Sequence, residues 1–176
     1  MLDEAKNNIA KLIFNKKFLK GKYNSQLFNK FLTESDRYLF IMPNNDSDFK
    51  NSFDVIRYFL IYKKKVSLFL PEFKINLIPD GRKYSFIGFG LDDITNLNLP
   101  SKSLIQRLNE YSFDVVVDLN RSENLFFIAV ANIVRAKNRI GFKRTKTDPH
   151  YNFLMVDDKI NSEKSYRNLL NSLKMF

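Results

Sequence analysis

The sequence predicts a doubly wound α/β domain, in which a mostly parallel sheet carries helices on both faces, preceded by an N-terminal helical arm. Two observations predict the fold class. From residue 37 onward, short apolar runs alternate with longer amphipathic ones. Runs such as Val115-Val116-Val117 are apolar without a break, as in strands buried on both faces, and the amphipathic segments between them are long enough for right-handed crossover helices.

The arm occupies residues 1–34. Over residues 3–19, Ile9, Leu12, Ile13 and Phe18 fall on one helical stripe, with Lys6, Lys11, Lys16, Lys17 and Lys20 mostly off it. A second short helix, Ser25 to Leu32, adds Leu27, Phe28 and Phe31. Such a basic amphipathic arm either packs on the domain or a second copy, or lies in the headgroup boundary of a membrane with its lysines over anionic lipid.

The domain spans residues 35–176. "RYLFIMP" reads as a strand, "SDFKNSFDVIRYFLIY" as a helix turning Phe49, Phe53, Ile56 and Phe59 or Leu60 inward, and "KKVSLFLP" as the next strand. There follow "YSFIGFG" as a strand, "PSKSLIQRLNEY" as a helix, "FDVVVDL" as a strand and "SENLFFIAVANIVRA" as a helix. "NRIGF" and "FLMV" are short strands. "SEKSYRNLLNSLKMF" closes as a helix, with Ser162 and Ser165 spaced as a loose capping box.

A chain of 176 residues, 44% hydrophobic and 27% charged, suits one soluble domain with a real core. The absence of cysteine excludes disulfides, thiolate metal sites and cysteine nucleophiles. No apolar run approaches the roughly 20 residues that span a bilayer, and Met1-Leu2-Asp3-Glu4 carries acids where a signal peptide needs its basic region. The expected location is the cytoplasm. A formal charge of +10 calls for an anionic partner: nucleic acid, phosphorylated glycolipid or the acidic inner face of the membrane.

In an open parallel sheet, ligands gather beyond the carboxyl ends of the strands. Two polar turns fall there, Pro43-Asn44-Asn45-Asp46-Ser47-Asp48 and Asp118-Leu119-Asn120-Arg121-Ser122. Neither is a glycine-rich phosphate cradle, so no dinucleotide cofactor is expected. Asp46 and Asp48 suit either a general base or the capping of a helix start. Ser122 suits a cap, and Asp118 a partner for turn amides. Arg121 suits a phosphate or carboxylate held by paired bonds, or a plain surface charge. Downstream, Arg139, Lys143, Arg144 and Lys146 cluster near Phe142 and Tyr151, a mixture that can grip a nucleic-acid strand, though no recognised module motif accompanies it. The one histidine, His150, lacks partners at metal or triad spacing, so no metal site is expected.

The stretch 113–142 resembles glycosyltransferase family 9, the lipopolysaccharide heptosyltransferases, in which a Tyr-Asp-x-x-x-Asp-Leu strand leads through a turn and an Ala-rich helix to an Arg-Ile-Gly-Phe corner. The matching residues are Phe113, Asp114, Asp118, Leu119, Ala129, Ala131, Arg139, Ile140, Gly141 and Phe142. Upstream, residues 39–59 align with the family's first strand, loop and helix, which puts Asp48 on the proposed catalytic aspartate, while Asn44, Asn45 and Ser47 replace the loop's usual Ser and Gly. The resemblance covers about residues 37–174. It implies a Rossmann-like acceptor-side domain, whereas family members add a second domain that binds the nucleotide-sugar donor.

Three readings follow. In the first the chain is a non-catalytic or degenerate relative of the acceptor domain, a binding or assembly module that meets a second copy or a separately encoded partner. In the second it is the acceptor half of a split inverting glycosyltransferase: Asp48 is the general base, and Asn44, Asn45, Asp118, Asn120, Arg121, Arg139, Lys143 and Arg144 hold the anionic acceptor. In the third it is a basic nucleic-acid-binding module.

Overall fold

A computed structural model describes residues 2–18, 31–144, 148–157 and 161–175. The elements run α1 (Leu2–Phe18), α2 (Phe31–Glu34), β1 (Arg37–Ile41), α3 (Asp46–Ile61), β2 (Lys65–Pro71), β3 (Ser85–Phe89), α4 (Lys102–Asn109), β4 (Ser112–Asp118), α5 (Leu125–Ile133), β5 (Arg135–Phe142), β6 (Phe153–Met155) and α6 (Ser162–Leu173). Most of the second arm helix read from the sequence lies outside the described residues, as does Lys146.

All six strands are parallel, in the order β3-β2-β1-β4-β5-β6. This is the Rossmann arrangement: the chain winds outward from β1 to β3, returns to lay β4 beside β1, and winds outward the other way. The alternation of apolar runs and helices thus has the outcome expected of it. Tyr38, Leu39, Phe40 and Ile41 of the central β1 are fully buried. Their alternate side chains feed two cores, because successive residues of a strand point to opposite faces.

Tyr38 and Phe40 meet Phe53, Ile56 and Phe59 of α3 and Tyr166, Leu169 and Leu173 of α6. Leu39 and Ile41 meet Leu104 and Leu108 of α4 and the run Phe126–Ala131 of α5. Ala10 and Phe14 of α1 join this second core. A helix apolar on every side must be covered on every side. That explains α5: the sheet lies beneath it, and α1 packs on it.

The inward residues of α1 differ from the stripe that the sequence suggests. Ala10 and Phe14 are buried, while Ile9, Leu12 and Ile13 stand 49%, 70% and 38% exposed. Three helix starts also differ. Asn45, Asn124 and Asn161 cap α3, α5 and α6, each side chain accepting from an amide of the first turn. Asp46 and Asp48 sit inside the first turn of α3, where negative charge is favourable, and Ser122 lies ahead of the α5 cap. Ser162 is left to bond elsewhere. Helix α5 is shorter than its apolar run, because Val134 is already extended and starts the chain into β5. Among the described residues no helix is long and apolar enough to cross a membrane.

Candidate functional site

The strand order reverses between β1 and β4, and beyond their carboxyl ends the two polar turns lie side by side, joined by the bond from Leu119 N to Ile41 O at 3.1 Å. The turn after β1 passes into α3, whose first turn carries Asp48. One oxygen of that carboxylate, Oδ1, accepts from Arg121 Nη1 at 3.1 Å and from Ser162 Oγ at 2.6 Å. Ser162 Oγ in turn accepts from Asn51 Nδ2 at 3.0 Å.

Arg121 reaches the other way to Asp157, its Nε donating to Oδ2 at 2.9 Å. The side chains of Asp48, Arg121 and Asp157 are 15%, 15% and 4% exposed. Burial works against the charge of Arg121, but the hydrogen bonds to Asp157 and Asp48 outweigh it and hold the guanidinium protonated. Ser165 Oγ donates to the second oxygen of Asp157. The result is one network joining the starts of α3 and α6 to the turns after β4 and β6.

Asp118, the last residue of β4, anchors a second network and is fully buried. Its Oδ1 accepts from the amide of Asn120 at 3.0 Å and from that residue's Nδ2 at 2.8 Å. Its Oδ2 accepts from Arg144 Nη2 at 2.9 Å and Tyr151 Oη at 2.6 Å. The Arg144 cation also lies 5.5 Å from the centroid of the Tyr151 ring. Burial, reinforced by the Asp118 charge, pushes the Tyr151 hydroxyl well above its ordinary value, so it keeps the proton that it donates to Asp118. Gly141 admits this ring: a Cβ there would stand 2.9 Å from Tyr151 Cε1.

The remaining predicted residues divide. Arg139 is drawn beneath α5, where its Nε and Nη2 donate to the carbonyls of Ala131 at 2.7 Å and Val134 at 2.9 Å and close the end of the helix. Arg144 and the aromatics Phe142 and Tyr151 are buried as well, so of the basic cluster's described residues Lys143 alone is exposed. Asn45 is committed as a cap. Lys74 was not a candidate from sequence, being a lone lysine in an apolar run. It is buried, spans from the Asn44 carbonyl at 2.8 Å to Asp46 Oδ1 at 2.9 Å, and lies over the Phe49 ring.

Beside these networks, on the α5 side, lies an open cleft of about 510 Å³. Phe89, Leu97 and Phe126 give it apolar walls, and Lys11, Asn44, Asn98, Glu123 and Asn124 supply polar groups. Asn124 Oδ1 is occupied in capping α5, whereas the side chains of Asn44, Asn98 and Glu123 have no hydrogen-bond partner among the described residues. Asn98 sits at φ 53, in the left-handed region that asparagine tolerates better than most residues, within a tight loop closed by Thr95 N to Leu99 O. Amides and a carboxylate over apolar walls suit a ligand with several hydroxyls and an apolar face. Among the described residues no group of acidic or histidine side chains could hold a metal ion.

The fold and the cleft define a Rossmann-like α/β protein with an open cleft at the reversal of strand order. The chain matches no family model, no curated protein and no solved structure.

Proposed function

We propose that this chain is a non-catalytic binding and assembly module, a degenerate relative of the acceptor-side domain of the lipopolysaccharide heptosyltransferases that residues 113–142 resemble. One observation carries the non-catalytic part. The groups that would perform transfer are spent on one another, since Asp48 Oδ1 accepts from both Arg121 and Ser162, and Arg121 is held between Asp48 and Asp157. A general base must meet the substrate hydroxyl, and an anion clamp must be open to the anion. The cleft beside Asn44 and Glu123 supports the binding part, with a hydroxyl-rich glycan or glycolipid fragment as the ligand class. The module works in the cytoplasm, at the membrane's inner face, with a second copy or a separate chain as its partner.

The test is calorimetric titration of the purified protein with nucleotide sugars, alongside a transfer assay on sugar-phosphate acceptors, for wild type and Asp48→Ala. The expected outcome is no saturable donor binding, no transfer, and a lower melting temperature in the variant. Micromolar donor binding, or transfer that vanishes in Asp48→Ala, overturns the reading in favour of a split transferase.

A further inference from the structure

We propose that α1 docks the protein onto anionic lipid bilayers through the face formed by Lys6, Ile9, Leu12, Ile13 and Lys16. These residues recur at steps of three and four, the spacing that places side chains on one side of a helix. All five are exposed, Leu12 at 70% and Ile9 at 49%. The opposite side of the helix already holds α1 to the domain through Ala10 and Phe14. A helix packed on one face ordinarily presents polar residues on the other. Here the outward face is apolar at its centre and carries an ammonium group at each end.

That pattern selects among occupants. A second copy bringing the same face across a two-fold axis would oppose lysines to lysines. A nucleic-acid backbone complements the lysines but offers nothing to three adjacent aliphatic side chains. An anionic bilayer serves both: the aliphatic groups enter the headgroup boundary, and the lysine stems extend along it to set their charges among lipid phosphates. Neither Lys6 nor Lys16 is paired with a carboxylate among the described residues, and the chain's formal charge of +10 adds long-range attraction. The reason such a module would meet a bilayer rests on the function proposed above, whereas the docking chemistry stands on α1 alone.

The experiment is co-sedimentation of the full chain with phosphatidylcholine vesicles, with and without phosphatidylglycerol, at low and high salt. Wild type should sediment with the anionic vesicles, at least about tenfold more weakly with neutral ones, and less as salt rises. Leu12→Gln and the pair Lys6→Gln, Lys16→Gln should each lower partitioning several-fold while melting like wild type, since the altered side chains are exposed. No sedimentation with anionic vesicles at low salt, or variants that bind like wild type, overturns the proposal. So does a wild-type dimer in light scattering that Leu12→Gln abolishes, which would assign the face to a second copy. No nucleotide sugar is present, so failure here removes the placement at the membrane but leaves the non-catalytic binding reading standing, and detection of transferase activity leaves vesicle binding unaffected.

Discussion

His150 shows how much of a residue's behaviour depends on where the fold carries it. It is the chain's sole histidine, 4% exposed, with its ring edge-on to Phe14 at 4.8 Å between centroids. Burial lowers its pKa. The unfolded ring titrates near about 6.5, so below that pH the unfolded chain takes up a proton that the folded one refuses. The stabilisation is therefore complete above about pH 6.5 and is lost as pH falls toward the folded value. Urea midpoints measured from neutral to mildly acidic pH should decline in wild type, and the decline through this window should be absent in His150→Phe. The sequence tells only that this histidine has no ligand partners. Its neighbour Tyr151 was equally opaque: it bonds Asp118 across 33 positions, and Arg144 does so across 26, distances over which local pattern carries no information. Gly141 was visible within the Arg-Ile-Gly-Phe corner, but its task of leaving room for the Tyr151 ring was not.

Among the elements, α5 was the most legible in existence and the least in extent. Its unbroken apolar run announced a buried helix. Its end at Ile133 depends on Val134 turning extended and on Arg139, a residue of the next strand, meeting its last carbonyls. That the arm packs on the domain was among the readings that periodicity left open, but not that α5 receives it, and the inward residues are Ala10 and Phe14 because that side faces α5. Phe14→Ala should cost about 3 kcal/mol, by lost transfer energy and the cavity left behind. The same variant should bind a hydrophobic dye more strongly as α1 loosens, which chemical denaturation and dye fluorescence would measure together.

For the whole molecule, alternation of strand and helix patterns was sufficient for a parallel sheet, because crossover helices leave little else possible. Strand order was not legible, since nothing local says that β4 returns to the side of β1. The candidate turns do fall at the carboxyl ends of the strands, yet most of their charged groups turned out to join parts of the fold. Arg121 links the turn after β4 to Asp48 at the start of α3 and to Asp157 ahead of α6. Arg121→Ala should therefore destabilise by about 2–4 kcal/mol, since two partly buried carboxylates would lose the cation that lies between them. In a double-mutant cycle with Asp48→Ala the losses should be less than additive, measured by urea denaturation. Additive losses would mean that the pair contributes no coupling.

The double covering of α5 bears on how the protein is made. Synthesis proceeds from the amino terminus at about 5–20 residues per second, so a nascent chain exposes its segments in sequence. Leu2–Phe18 leaves the ribosome long before Leu125–Ile133, a helix that is apolar almost throughout. The shield is thus waiting when the segment it conceals emerges, which shortens the interval in which that segment could recruit chaperones or clump with its neighbours.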